Sequence, residues 1–95
     1  MIAISTNAIA SNTERYCGSI SELATGYVED RNSGWTYAKS LSVAMIAVEQ
    51  ANLTKAEKLK FQRDIRASVK IAYIDFPQIT TEGIYKLVKL GCNSE

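Results

Sequence analysis

Apolar residues recur along this chain with a helical period, and they are densest between residues 35 and 48. No charge follows Lys39 there until Glu49. Wound as an α-helix, the stretch places Tyr37, Leu41, Ala44, Met45, Val48 and Ala51 on one broad face, and Val43, Ile46 and Ala47 on much of the other. A helix apolar on nearly all sides belongs in a core or at an interface. The uncharged run is far shorter than the roughly 20 residues that cross a bilayer. The pattern therefore predicts a helix over 35–51 at the buried centre of the fold.

The same period organises the rest of the chain. Tyr16, Ile20, Leu23 and Tyr27 repeat at helical spacing, with Cys17, Ala24 and Val28 beside them, so a helix is expected over 12–31. Ser11 and Glu14 have the spacing of a capping box at its start, and Ser19 and Glu22 repeat that spacing just after Gly18. Gly18 and Gly26 each cost about 1 kcal/mol relative to alanine. They mark either a break near Gly18 or the close approach of another backbone. Residues 1–10, with Ile2, Ile4 and Ile9, read as an extended arm or a disordered terminus. Arg31, Asn32, Ser33 and Gly34 read as a turn.

Asn52 and Leu53 close the helix over 35–51. Thr54 with Glu57 opens the next as a capping box. So short a joint implies an antiparallel helical hairpin. The third helix is expected over 55–75, with Phe61, Ile65, Val69, Ala72 and Phe76 on its inner face. It ends before Pro77, which pushes the preceding residue out of the α region. A short last helix is expected over 81–90. Thr80 is its N-cap, Ile79 and Ile84 form a hydrophobic staple, Ile84, Leu87 and Val88 make its inner face, and Gly91 is its C-cap. No segment reads as a strand. The expected fold is an all-α bundle of about four helices, the last one short, in a single domain spanning 1–95.

Composition changes this picture little, because 95 residues with 46% apolar content are enough for one self-sufficient core. Charge changes it more. The net charge is +1, yet residues 1–50 hold three basic and five acidic side chains and residues 51–95 hold eight and five. The basic excess collects between Lys55 and Lys70. On a helix, Lys55, Arg63, Arg66 and Lys70 fall within an arc of roughly 80° and extend over about 22 Å. Glu57 and Asp64 point elsewhere, Leu59 lies within the arc, and Tyr73 continues it. Such a stripe suits an acidic protein surface. It also suits phosphate oxygens, onto which Arg63 and Arg66 could fork. Its plainest reading is a solvated helix face whose long stems cover apolar surface. Trp35 and Tyr37, residues of a type enriched in binding hot spots, form a second, weaker candidate patch; the alternative is that they plug the end of the bundle. The small residues Ala44, Ala47 and Ala51, flanked by Val43 and Ile46, would also suit a homodimer seam.

Candidate chemistry is sparse. The chain has no histidine, which removes the commonest general base and the commonest metal ligand. It has no glycine-rich phosphate loop, and its carboxylates are scattered. No catalytic residue, cofactor or metal ligand is assigned. The end of the third helix with residues 81–90 makes a poor helix-turn-helix. The connection is long, and residues 81–90 offer no Arg, Asn or Gln to base edges. Cys17 and Cys92 form no metal-spaced pair. They read as free thiols of a reducing, cytoplasmic protein, the alternative being one bridge between the tail and the first helix. The first residues lack a basic n-region and are not read as a signal peptide. Asn52-Leu53-Thr54 fits the glycosylation pattern, but it reads more simply as the joint between two helices.

The functional expectation is a small non-enzymatic interaction module of the adaptor or inhibitor kind. It would bind another protein through Lys55, Arg63, Arg66 and Lys70, with Trp35 and Tyr37 second. The alternatives are a nucleic-acid-binding protein using the same stripe and a structural homo-oligomer. No membrane partner is expected.

Overall fold

The computed structural model of this chain describes residues 2–94, with side chains from residue 13 onward. Among them it holds four α-helices: α1 (Ile2–Asn32), α2 (Tyr37–Gln50), α3 (Lys55–Lys70) and α4 (Thr81–Asn93). A π-helical turn, Ile71–Asp75, continues α3. The all-α bundle read from the periodicity is the fold observed, with dimensions of 50 × 28 × 17 Å.

The helix at the centre is α1, not α2. The α1 helix packs along α4 and also meets α3, the π turn and α2, whereas α2 packs mainly on α3. On α1 the residues that reach the core are Ile20, Ala24, Tyr27 and Val28. They meet Ala44 and Val48 of α2, Ile65 and Val69 of α3, Ala72 of the π turn, and Ile84 and Val88 of α4. The expected inner face of α2 is correct, since Ala44 and Val48 are buried and Tyr37, Leu41 and Met45 pack against the core. Its opposite side is not covered: Val43 is 47% exposed and Ile46 56%. A 95-residue chain has too few helices to surround α2, so its apolar outer face remains open.

α1 is longer and more regular than its sequence suggested. Its backbone is helical from Ile2 rather than from residue 12, and no cap sits at Ser11. Alanines at 3, 8 and 10 favour helix there. How Ile2, Ile4 and Ile9 pack lies outside the described side chains. The helix does not break at Gly18, and among the described residues no other backbone approaches Gly18 or Gly26, because a Cβ at either position would meet nothing within 4 Å. The second capping spacing is unused as well, since the Ser19 hydroxyl donates to the Arg15 carbonyl at 3.0 Å. Leu23 is largely exposed, and the buried stripe runs instead through Cys17, Ile20, Ala24 and Val28.

The C-terminus of α1 is a Schellman motif within the expected turn. Trp35 N–H donates to Asp30 O at 3.0 Å and Gly34 N–H to Arg31 O at 3.1 Å. Gly34 takes φ = +94°, a conformation that favours glycine. Thr36 then caps α2, its hydroxyl accepting from Lys39 N–H at 3.1 Å. Thr54 and Glu57 form the expected capping box of α3. Hydrogen bonds from the Thr54 backbone, and then from its side chain, hold the Glu57 carboxyl below its usual range. Thr80 caps α4, its hydroxyl accepting from Gly83 N–H at 3.0 Å, with Ile79 packed on the core as the staple requires.

Two ends differ from expectation. The third helix does not stay α to residue 75. Phe76 N–H donates to Ile71 O at 2.9 Å, skipping the Ala72 carbonyl that would accept it in an α-helix. The added rotation leaves Phe76 53% exposed, although it was placed on the inner face. Gly91 is not a C-cap. The α4 helix runs on to Asn93, and so carries Cys92 to a disulfide with Cys17. The cysteines are therefore paired, not free, and the loss of free thiols removes the ground for placing the chain in a reducing compartment.

Candidate protein-binding surface

The stripe is built by α3. Burial of Ile65, Ser68 and Val69 fixes the inner side of this helix. Helical geometry then turns Lys55, Arg63, Arg66 and Lys70 outward, and all four are exposed. Leu59, among them, is 60% exposed. Lys55, Arg66 and Lys70 make no ion pair among the described residues. Arg63 differs, because its Nε lies 3.5 Å from Asp64 Oδ1. Asp64 is a hub, since its Oδ2 also accepts from Tyr16 Oη at 2.5 Å and from Lys60 Nζ at 3.2 Å. It sits one residue from Arg63 at the edge of the stripe and draws that guanidinium sideways.

Tyr73 does not continue the stripe. The π turn rotates it inward, where it is partly buried with its ring centroid 5.8 Å from that of Tyr37. Tyr37 is thereby committed to packing at the start of α2. Trp35 is partly buried under Lys39, whose Nζ lies 4.2 Å from its ring. The second patch is a partly buried corner at the start of α2.

A groove that the sequence did not announce opens beside the stripe. α3 and α4 both lie on α1 and make no extended contact with each other. The space between them measures about 560 Å³. Its lining includes Ile20 on the floor, Arg63, Asp64, Ala67 and Ile71 on the α3 wall, and Leu87, Gly91 and Cys92 on the α4 wall. Phe76 and Asp75 stand at one end. No local signal marks this groove, because each helix contributes only a few side chains and their proximity is set by packing on α1.

Arg31 is the other residue that the sequence reading passed over. Its Nη1 donates to Ala72 O at 2.7 Å and its Nη2 to Ile79 O at 2.7 Å. It thus satisfies the carbonyl that the π turn releases and ties the loop before α4 to the end of α1. A basic residue in the last turn of a helix was the one available hint.

Among the described residues no group of three His, Cys, Asp or Glu side chains could hold a metal ion. None of the described helices is long and apolar enough to cross a membrane. No known protein family matches the chain, and comparison with curated proteins and with solved structures also yields no match.

Proposed function

We propose that this chain is a small non-enzymatic helical module that binds another protein, as an adaptor or inhibitor does, through the outer face of α3. One observation carries the reading: Lys55, Arg66 and Lys70 stand exposed without acidic partners among the described residues, on either side of a largely exposed Leu59. Cations flanking an apolar contact suit a protein surface that offers acids around a hydrophobic patch. A phosphate backbone would use the cations and leave Leu59 idle. The Cys17–Cys92 bridge supports placement in an oxidising compartment in preference to the cytoplasm.

The test reverses Lys55, Arg66 and Lys70 to Glu. Arg63 is left in place because it also holds Asp64. Wild-type and variant proteins are used as baits against extract of the source cell, and both are titrated into random-sequence duplex DNA at two salt concentrations. The expected outcome is a protein retained by the wild type and lost by the variant, with weak DNA binding. Retention unchanged by the reversal would remove the stripe from the account. A log–log salt slope near −3.6, corresponding to about four neutralised phosphates, would move the function to nucleic acid.

A second reading has its own support. Val43 and Ile46 leave an uncharged, open face on α2, which suits a homo-oligomer. Mass measured in solution decides it, because a monomer at high concentration excludes that role.

A further inference from the structure

The outer face of α2 has nearly the same pattern read from either end. Lys39, Val43, Ile46 and Gln50 follow one another at intervals of four, three and four residues, the spacing of a two-helix seam. All four are exposed, Val43 at 47% and Ile46 at 56%. Their order is polar, apolar, apolar, polar. Ser42 and Ala47, both small and exposed, flank the seam at equal distances from the midpoint between Val43 and Ile46. Charge distinguishes the two ends. A cation, Lys39, stands at the start of the face and an anion, Glu49, near its end, with no charge between them. Neither makes an ion pair among the described residues. Lys39 lies over the Trp35 ring, and Gln62 Nε2 reaches the Glu49 carboxylate at 3.5 Å.

We infer that this face is the seam of an antiparallel homodimer, in which α2 of one copy lies along α2 of a second copy turned end for end. This deepens the homo-oligomer reading and rests on it. A twofold axis through the midpoint between Val43 and Ile46 sets Val43 against Ile46 of the second copy, and Ile46 against its Val43. The same axis brings Lys39 opposite Gln50 of the second copy and beside its Glu49. Symmetry repeats that contact, so the dimer gains two opposite-charge pairs. A parallel pair would instead set Lys39 on Lys39 and Glu49 on Glu49, and like charges facing each other oppose association. A partner surface of one sign, acidic or basic, would match one end of the seam and repel the other. A reversed second copy supplies both signs in the required order.

The test is sedimentation velocity of the oxidised full chain at low salt, over roughly 1 µM to 1 mM, a range suited to the small area that a single helix face buries. A concentration-dependent dimer is expected. Val43→Glu puts a charge at the centre of the seam and should weaken dimerisation by at least about tenfold. Lys39→Glu and Glu49→Lys each create two like-charge contacts and should each weaken it by at least about threefold. The combined Lys39→Glu, Glu49→Lys variant should return it to the wild-type value. The three positions are exposed, so circular dichroism should remain that of the wild type. A wild-type chain that stays monomeric over the whole range would overturn the homo-oligomer reading and the inference with it. A dimer indifferent to Val43→Glu would overturn the α2 seam and leave a homo-oligomer built on another surface. A dimer that Val43→Glu abolishes, but that either ignores the single charge reversals or is not restored in the combined variant, would overturn the antiparallel arrangement alone.

Discussion

The Arg31 guanidinium holds the carbonyl of Ile79 at 2.7 Å across 48 residues of sequence. Its second nitrogen takes Ala72 O at the same distance. Two carbonyls left without helical donors are thus satisfied by one planar group, and three segments meet there. Arg31→Ala should lower stability by roughly 2–4 kcal/mol, because charge-assisted hydrogen bonds are lost and partly buried carbonyls are left bare. Arg31→Lys should recover only part of this, since an ammonium cannot fork to two fixed acceptors. Urea unfolding of the three proteins measures it. Equal midpoints for Arg31→Ala and wild type would refute the assigned role.

The Cys17–Cys92 bridge closes a loop with a sequence separation of 75 residues, and Cys17 is only 1% exposed. Reduction, or replacement of both cysteines by Ser, should cost roughly 2–5 kcal/mol. The last turn of α4 should loosen first, because Gly91, Asn93 and Ser94 are exposed and the bridge is its tie to α1. Unfolding with and without reductant gives the magnitude, and amide exchange over α4 gives the location. Protein isolated under acid quench should contain no titratable thiol. Two free thiols would contradict both the pairing and the oxidising compartment.

Tyr27 is buried near Asp30. Burial first, and the carboxylate second, push its hydroxyl from an ordinary value of 10.0 up to about 12. The folded state therefore favours the neutral phenol. The corresponding stability is fully present below about pH 10 and is lost as pH rises through about 12. Over that window the wild type should lose roughly 2 kcal/mol relative to Tyr27→Phe, in which this titration is absent. Denaturant unfolding at several alkaline pH values tests it. Parallel pH profiles for the two proteins would show that the Tyr27 hydroxyl titrates normally.

The hydroxyls of Ser40 and Tyr73 are buried without a hydrogen-bond partner among the described residues. Removing a polar atom that has nothing to bond to removes a desolvation cost. Ser40→Ala and Tyr73→Phe should each leave stability unchanged or raise it by up to about 1 kcal/mol. A drop of more than about 1 kcal/mol in either protein would mean that an internal water satisfies the hydroxyl in solution.

The sequence by itself determined the elements. A helical period with Thr54 and Thr80 at the helix starts and a turn through Gly34 is local information, because caps and turns are satisfied within one or two turns of chain. It also determined which side of α3 carries charge, since the inner row Ile65 and Val69 leaves Lys55, Arg66 and Lys70 facing water. Only the tertiary structure decided which helix is central, and it gave that place to α1 over the more apolar α2. Hydrophobicity states that a face seeks cover, but not whether enough other helices exist to provide it. The same holds for the Cys17–Cys92 pairing, the Arg31 clasp and the groove between α3 and α4. Each joins residues that are distant in sequence, and their meeting depends on how whole helices pack on α1, which no local pattern encodes.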